Sequence, residues 1–139
     1  MRPGLDYRTA VVSACLLLPA GWAFAQAASP PAASALKRTQ VYKGPVAAAN
    51  YEAVVVKAEL AAGGHASRHT HPGDEISYVT DGDAELLVDG QPPLKLKPGE
   101  AFSVPAGKVH DLRNNGKEAA RLIGVYVVEK GKPLATPAK

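Results

Sequence analysis

Residues Gly63–Gly82 read GGHASRHTHPGDEISYVTDG. His69 and His71 stand two residues apart, and Glu75 follows them across a Pro72-Gly73 break. Side chains at i and i+2 of a strand point to the same face, with their Cα atoms about 6.6–6.8 Å apart. Two imidazoles placed this way can converge on one ion, each needing a bond of about 2.0–2.1 Å to a metal such as zinc. A helix is excluded because Pro72-Gly73 would interrupt it, and with it the helical H-E-x-x-H zinc pattern. The chain must turn after the pair, and that turn brings Glu75 back beside it. The stretch therefore predicts a metal site built on strands.

The chain around it has the same β character. Upstream, Tyr51–Leu60 alternates, with Val54, Val56, Ala58 and Leu60 on one face and Val55, Lys57 and Glu59 on the other. A shorter strand is expected around Thr39–Tyr42, ending at Gly44-Pro45. Downstream, Glu75–Thr80 places Glu75, Ser77 and Val79 together, and Ala84–Val88 leads into the tight-turn pair Asp89-Gly90. Pro92 and Pro93 cannot donate to a ladder and must stand at a strand start or an edge. Leu94 and Leu96, Ala101–Val104, Val109–Arg113 and Arg121–Val128 supply further strands, the last expected to close a barrel. About eight short strands with tight turns and no long helix predict an all-β domain, a double-sheet jelly roll or small barrel able to enclose a ligand.

Residues 1–25 have a different composition. Arg2 and Arg8 precede the apolar run Ala10–Leu18, and Ala23-Phe24-Ala25 is a small-x-small cleavage site, the grammar of a secretory signal peptide. Pro19 and Gly21 interrupt the run, which is short for a membrane span of about 20 apolar residues. Val12-Ser13-Ala14-Cys15 has the look of a lipoprotein box, but Cys15 lies inside the apolar run. A periplasmic or secreted protein without a membrane anchor is expected. Cleavage after Ala25 would remove Cys15, the chain's one cysteine, and leave stability to core packing and a bound metal. Gln26–Ala35 reads as a disordered linker, residues 36–130 as the domain, and residues 131–139 as a flexible tail. The formal charge of +3 is small and scattered, with no basic cluster interleaved with aromatics, so nucleic acid is not an expected partner.

A strongly held ion takes three or more protein ligands. Besides His69 and His71 the chain has only His65 and His110. His110 begins a strand after the Pro105-Ala106-Gly107 turn, where a neighbouring strand could carry it past Glu75. Three imidazoles and a carboxylate leave two positions open on an octahedral ion, enough for substrate, water or dioxygen. Gly63-x5-His69-x-His71-x3-Glu75-x6-Gly82 resembles the first motif of the cupin family at every position. Gly99-x5-Pro105-x-Gly107-x2-His110-x3-Asn114 resembles the second in the same way.

The resemblance implies a single-domain cupin jelly-roll β-barrel with His69, His71, Glu75 and His110 as ligands to one divalent metal. It assigns turn roles to the matched glycines and Pro105, and a structural role to Asn114. Cupins with these ligands include dioxygenases, isomerases and decarboxylases. The expected activity is thus metal-dependent dioxygenase or isomerase chemistry on a small molecule, with Glu75 as a candidate catalytic proton acceptor. A metal-loaded small-ligand binding, carrier or sensor module is the alternative. Iron, manganese, cobalt, nickel, copper or zinc suits such donors, and an oxidising compartment disfavours ferrous iron. A homodimer is expected, because pairing covers the sheet edges of jelly rolls. His65 falls outside the motifs. Arg68, Lys108, Asp111 and Arg113 alternate with the ligands and are expected to be solvated exterior charges, whereas Ser77 and Val79 share the face of Glu75.

Overall fold

The computed structural model describes residues 35–139. The expected leader, and all of the expected linker except Ala35, lie outside that range. Ala35 itself is tied in, its carbonyl accepting the Ala61 amide at 2.9 Å. Ten strands follow: β1 (Leu36–Pro45), β2 (Tyr51–Leu60), β3 (His69–Thr70), β4 (Gly73–Asp81) and β5 (Ala84–Val88). The rest are β6 (Leu94–Leu96), β7 (Ala101–Val104), β8 (His110–Arg113), β9 (Ala120–Glu129) and β10 (Thr136–Pro137). They form two five-stranded antiparallel sheets, ordered β1-β2-β9-β4-β7 and β10-β3-β8-β5-β6. The fold is the expected all-β jelly roll.

The period-2 alternation decides which side chains meet inside. Val54, Val56 and Leu60 of β2 are buried, as are Glu75, Ser77 and Val79 of β4 and Leu122, Tyr126 and Val128 of β9. One apolar cluster gathers Leu60, Val79, Leu86, Leu96, Phe102, Val104, Leu112 and Leu122. A second gathers Val54, Val56, Tyr126 and Val128, with Leu134 packed against it. Each fully buried Leu or Val contributes about 1.5–3 kcal/mol.

Gly73 was placed by sequence in a turn, but the structure gives it another duty. It opens β4 opposite Val128 of β9. A Cβ there would lie 1.9 Å from the Val127 carbonyl oxygen, a backbone atom that cannot step aside. Gly82, by contrast, has the left-handed φ of 69° that its turn requires.

β9 lies at the centre of its sheet, between β2 and β4. One expectation needs correction. Residues 131–139 are not a loose tail. Thr136 and Pro137 pair with Thr70 and His69, and the Ala138 amide donates to the Arg68 carbonyl at 3.0 Å. The two-residue β3 offers an open edge, and an extended, proline-containing segment can cover one, because Pro is tolerated on an edge strand.

Candidate metal centre

The two sheets bring four buried side chains to one point. His69 lies on β3 and His110 on β8, directly opposite each other in the ladder. Glu75 comes from β4 of the other sheet, and His71 from the link between β3 and β4. Pro72 and Gly73 carry the chain from one sheet to the other between the ligand pair and Glu75. Their relative exposures are 6%, 5%, 6% and 2% for His69, His71, Glu75 and His110, so water contributes little to satisfying them.

The hydrogen bonds fix each ring's tautomer. Nδ1–H of His69 donates to the Ser67 carbonyl (2.7 Å), that of His110 to the Lys108 carbonyl (2.9 Å) and that of His71 to the Leu134 carbonyl (2.5 Å). A carbonyl can only accept, so in each neutral ring Nδ1 carries the proton and Nε2 presents a lone pair. The Nε2 atoms of His69 and His71 stand 3.2 Å apart. Oε2 of Glu75 is 3.0 Å from His71 Nε2 and 3.2 Å from His110 Nε2. Electron pairs facing each other at this range repel unless a cation lies between them. A metal bonded at about 2.0–2.2 Å spaces adjacent donors about 2.8–3.6 Å apart, so the donor spacings fit one ion. The three buried histidines can hold a metal ion, and their backbone partners supply the orienting contacts that metal-bound histidines use. One of those partners is the C-terminal segment that sequence reading left loose.

Electrostatics sharpen the picture. Burial lowers His69 to a pKa of about 4, so its ring is neutral at pH 7. Burial alone would raise Glu75, yet its close contacts with His110, His71 and Ser77 outweigh it and hold the carboxyl well below the usual range. Burial also opposes the charged form of His110, but Glu75 and the Lys108 carbonyl prevail and raise its pKa above 6.5. Oε1 of Glu75 accepts from Ser77 Oγ (2.6 Å) and from the Tyr126 hydroxyl (3.4 Å), so Oε2 is the oxygen that faces the histidines. Burial, then the Glu75 charge, raises Tyr126 far above an ordinary phenol, and it stays protonated.

A cupin domain family matches residues 56–128. The chain belongs to the cupin family. Dimethylsulfoniopropionate lyase DddQ of Ruegeria pomeroyi is 35% identical over 80 residues, 58% of this chain and 39% of that protein. The crystal structure of that lyase superposes with a TM-score of 0.59 at 26% identity, covering 74% of this chain and 51% of the other. A germin-like protein of Arabidopsis thaliana is 34% identical over 77 residues, 52% of this chain and 35% of that protein. A Klebsiella pneumoniae protein with a double-stranded beta-helix domain has a TM-score of 0.60 at 25% identity, covering 77% of this chain and 90% of that one. The cupin described here therefore spans well under half the length of the two curated relatives it matches.

The other side chains of this cupin sort differently from the sequence reading in two respects. Arg68, Lys108 and Arg113 are exposed, as expected, but Asp111 is buried at 3%. The segment before β3 runs along β8, with His65 bridging to Arg113. His65 and the Arg113 guanidinium, 3.8 and 2.9 Å from Asp111 Oδ2, close over the carboxylate. Tyr126 and Phe102 both line the cavity beside the histidines, whereas Tyr78 lies outside at 48% exposure. Parity could have placed Tyr126, because it alternates with Leu122 and Val128 on β9. Its neighbour Gly124 makes the room: a Cβ at that position would lie 2.8 Å from the Tyr126 ring.

Proposed function

We propose that this chain is an exported cupin enzyme that holds one divalent transition metal through His69, His71, His110 and Glu75 and transforms a small molecule bound beside it. One observation carries this reading. Three Nε2 lone pairs, each fixed by an Nδ1–H bond to a backbone carbonyl, converge with Glu75 Oε2 at 3.0–3.2 Å. A metal bound there would supply Lewis-acid polarisation of a substrate oxygen, and iron would add redox chemistry. The protein supplies the rest. Ser77 keeps Glu75 Oε1 occupied and the carboxylate oriented, and the protonated Tyr126 hydroxyl stands ready to donate. Glu75, held strongly acidic, is a weak base in its present bonds, so its proposed part in proton transfer requires it to leave them.

Dioxygenase or isomerase chemistry remains the proposed type, and the relation to a protein named as a lyase adds carbon–heteroatom cleavage to that group. The alternative, a binding or metal-carrier module, draws support from the narrowness of the cavity. The space open to a water centre beside the histidines is about 20 Å³, little more than one water needs.

Glu75→Gln tests the ligand assignment, since it keeps size and can keep the Ser77 contact while losing the charge. Metal affinity is expected to fall by about 100-fold or more, read by titration with zinc or manganese. Unchanged affinity would remove Glu75 from the ligand set. Elemental analysis of protein purified from its own periplasm identifies the metal and checks export at once. A homodimer is part of the same proposal. The outer face of the β1-β2-β9-β4-β7 sheet exposes Tyr42, Ile76 and Tyr78 at about half their surface, an apolar face suited to isologous packing. Light scattering should return twice the chain mass, and a monomer at micromolar concentration would refute it.

A further inference from the structure

The cavity beside the histidines has one basic wall that the metal reading does not use. Arg38 lies on the edge strand β1, paired with Ala58 of β2, and both line this cavity. It is the one lysine or arginine among the described residues that does so. The other described arginines each have a carboxylate partner: Arg68 has Asp89, Arg113 has Asp111, and Arg121 has Glu59 and Asp81. Among the described residues the Arg38 side chain has no hydrogen bond or ion pair. It is exposed while lining the cavity, which places it at the rim. Leu36, Leu60 and Leu122 give the same cavity an apolar wall.

From this arrangement we infer that Arg38 recognises the carboxylate end of the substrate, a small anionic molecule whose short aliphatic stem lies along the leucines with a second oxygen directed at the metal. The inference rests on the metal-centre reading and adds the substrate class to it. A guanidinium with no partner among the described residues at a cavity mouth is a ready fork for two carboxylate oxygens. The water-sized interior admits only an oxygen or two beyond that point. A bulky or cationic molecule would meet the wrong volume and the wrong charge.

The test uses the full exported chain loaded with cobalt(II), whose visible spectrum reports both metal uptake and an anion entering the metal's surroundings. Malonate, whose two carboxylates offer one to Arg38 and one to the metal, is titrated against acetate, which has a single carboxylate, at fixed ionic strength. Malonate is expected to bind about tenfold more tightly than acetate. Arg38→Gln should erase that advantage while leaving acetate within about twofold, and Arg38→Lys should restore part of it. Exposed and without a side-chain partner among the described residues, Arg38 is a position where replacement should leave the fold intact, which a melting curve verifies. Malonate binding unchanged in Arg38→Gln, or equal losses for both anions, would overturn the inference while cobalt uptake still upheld the metal centre. Absence of cobalt uptake by the unaltered protein would overturn both.

Discussion

His110→Ala is expected to strip the protein of stoichiometric divalent metal while leaving its sheets in place. His110 provides one of three oriented Nε2 donors, 3.2 Å from Glu75 Oε2. Displacing partners that merely orient a ligand typically costs about 10–100-fold in metal affinity, and losing a ligand outright costs more. The variant's dissociation constant for zinc or manganese should therefore rise by at least about 100-fold. The same residue sets the pH dependence. With its folded pKa raised above 6.5 by Glu75 and the Lys108 carbonyl, His110 is protonated in metal-free protein below that raised value, and the metal must displace the proton. Apparent affinity should weaken as pH falls through this range, by about tenfold per unit for one displaced proton, and level off above it. In His110→Ala this dependence should shrink. Wild-type loading in the variant, or an affinity indifferent to pH between 6 and 8, would remove His110 from the site.

Asn114→Ala is expected to cost on the order of 4 kcal/mol of folding stability, the sum of several buried groups left unpaired. Asn114 is 1% exposed. Its amide nitrogen donates to the carbonyls of Leu60 (3.1 Å), Ala61 (3.1 Å) and Glu118 (2.7 Å), and its Oδ1 accepts the Gly116 amide at 2.9 Å. One side chain thus ties the end of β2 to the turn that leads into β9. Removing it takes a donor from the buried Leu60 carbonyl and the part-buried Glu118 carbonyl and an acceptor from the Gly116 amide, each costing about 1–3 kcal/mol where water does not replace it. For a domain of this size the melting temperature should drop by about 15–30 °C. Asn114→Asp keeps the acceptor and loses the donors, so it should destabilise nearly as much at neutral pH. A loss below about 1 kcal/mol in urea denaturation would show that water or neighbouring groups replace these bonds.

Much of this was legible along the chain. Strand faces followed from alternation, because a half-buried strand has a strict period of two. β5 and β7 fell where Ala84–Val88 and Ala101–Val104 were read, their bounds set by Gly and Pro turns. The four residues His69, His71, Glu75 and His110 were readable as a group from their fixed spacing, and the fold brings them together. β1 was read too short, because its exposed residues carry no hydrophobic period beyond the first few. Asp111 was read as exterior because parity says which way a side chain leaves its own strand, not whether another segment lies over it.

By itself, then, the sequence determined the β class, the strand faces and the spacing of His69, His71, Glu75 and His110, all properties of local pattern. Only the tertiary structure decided the rest. It put the Leu134 carbonyl behind His71, paired Thr136 and Pro137 with β3, buried Asp111 and set Arg38 at the cavity rim with no side-chain partner among the described residues. Each of those depends on which strand edges pair across long stretches of chain. Pairing of that kind is set by the packing of the whole sandwich, and no local spacing of residues records it.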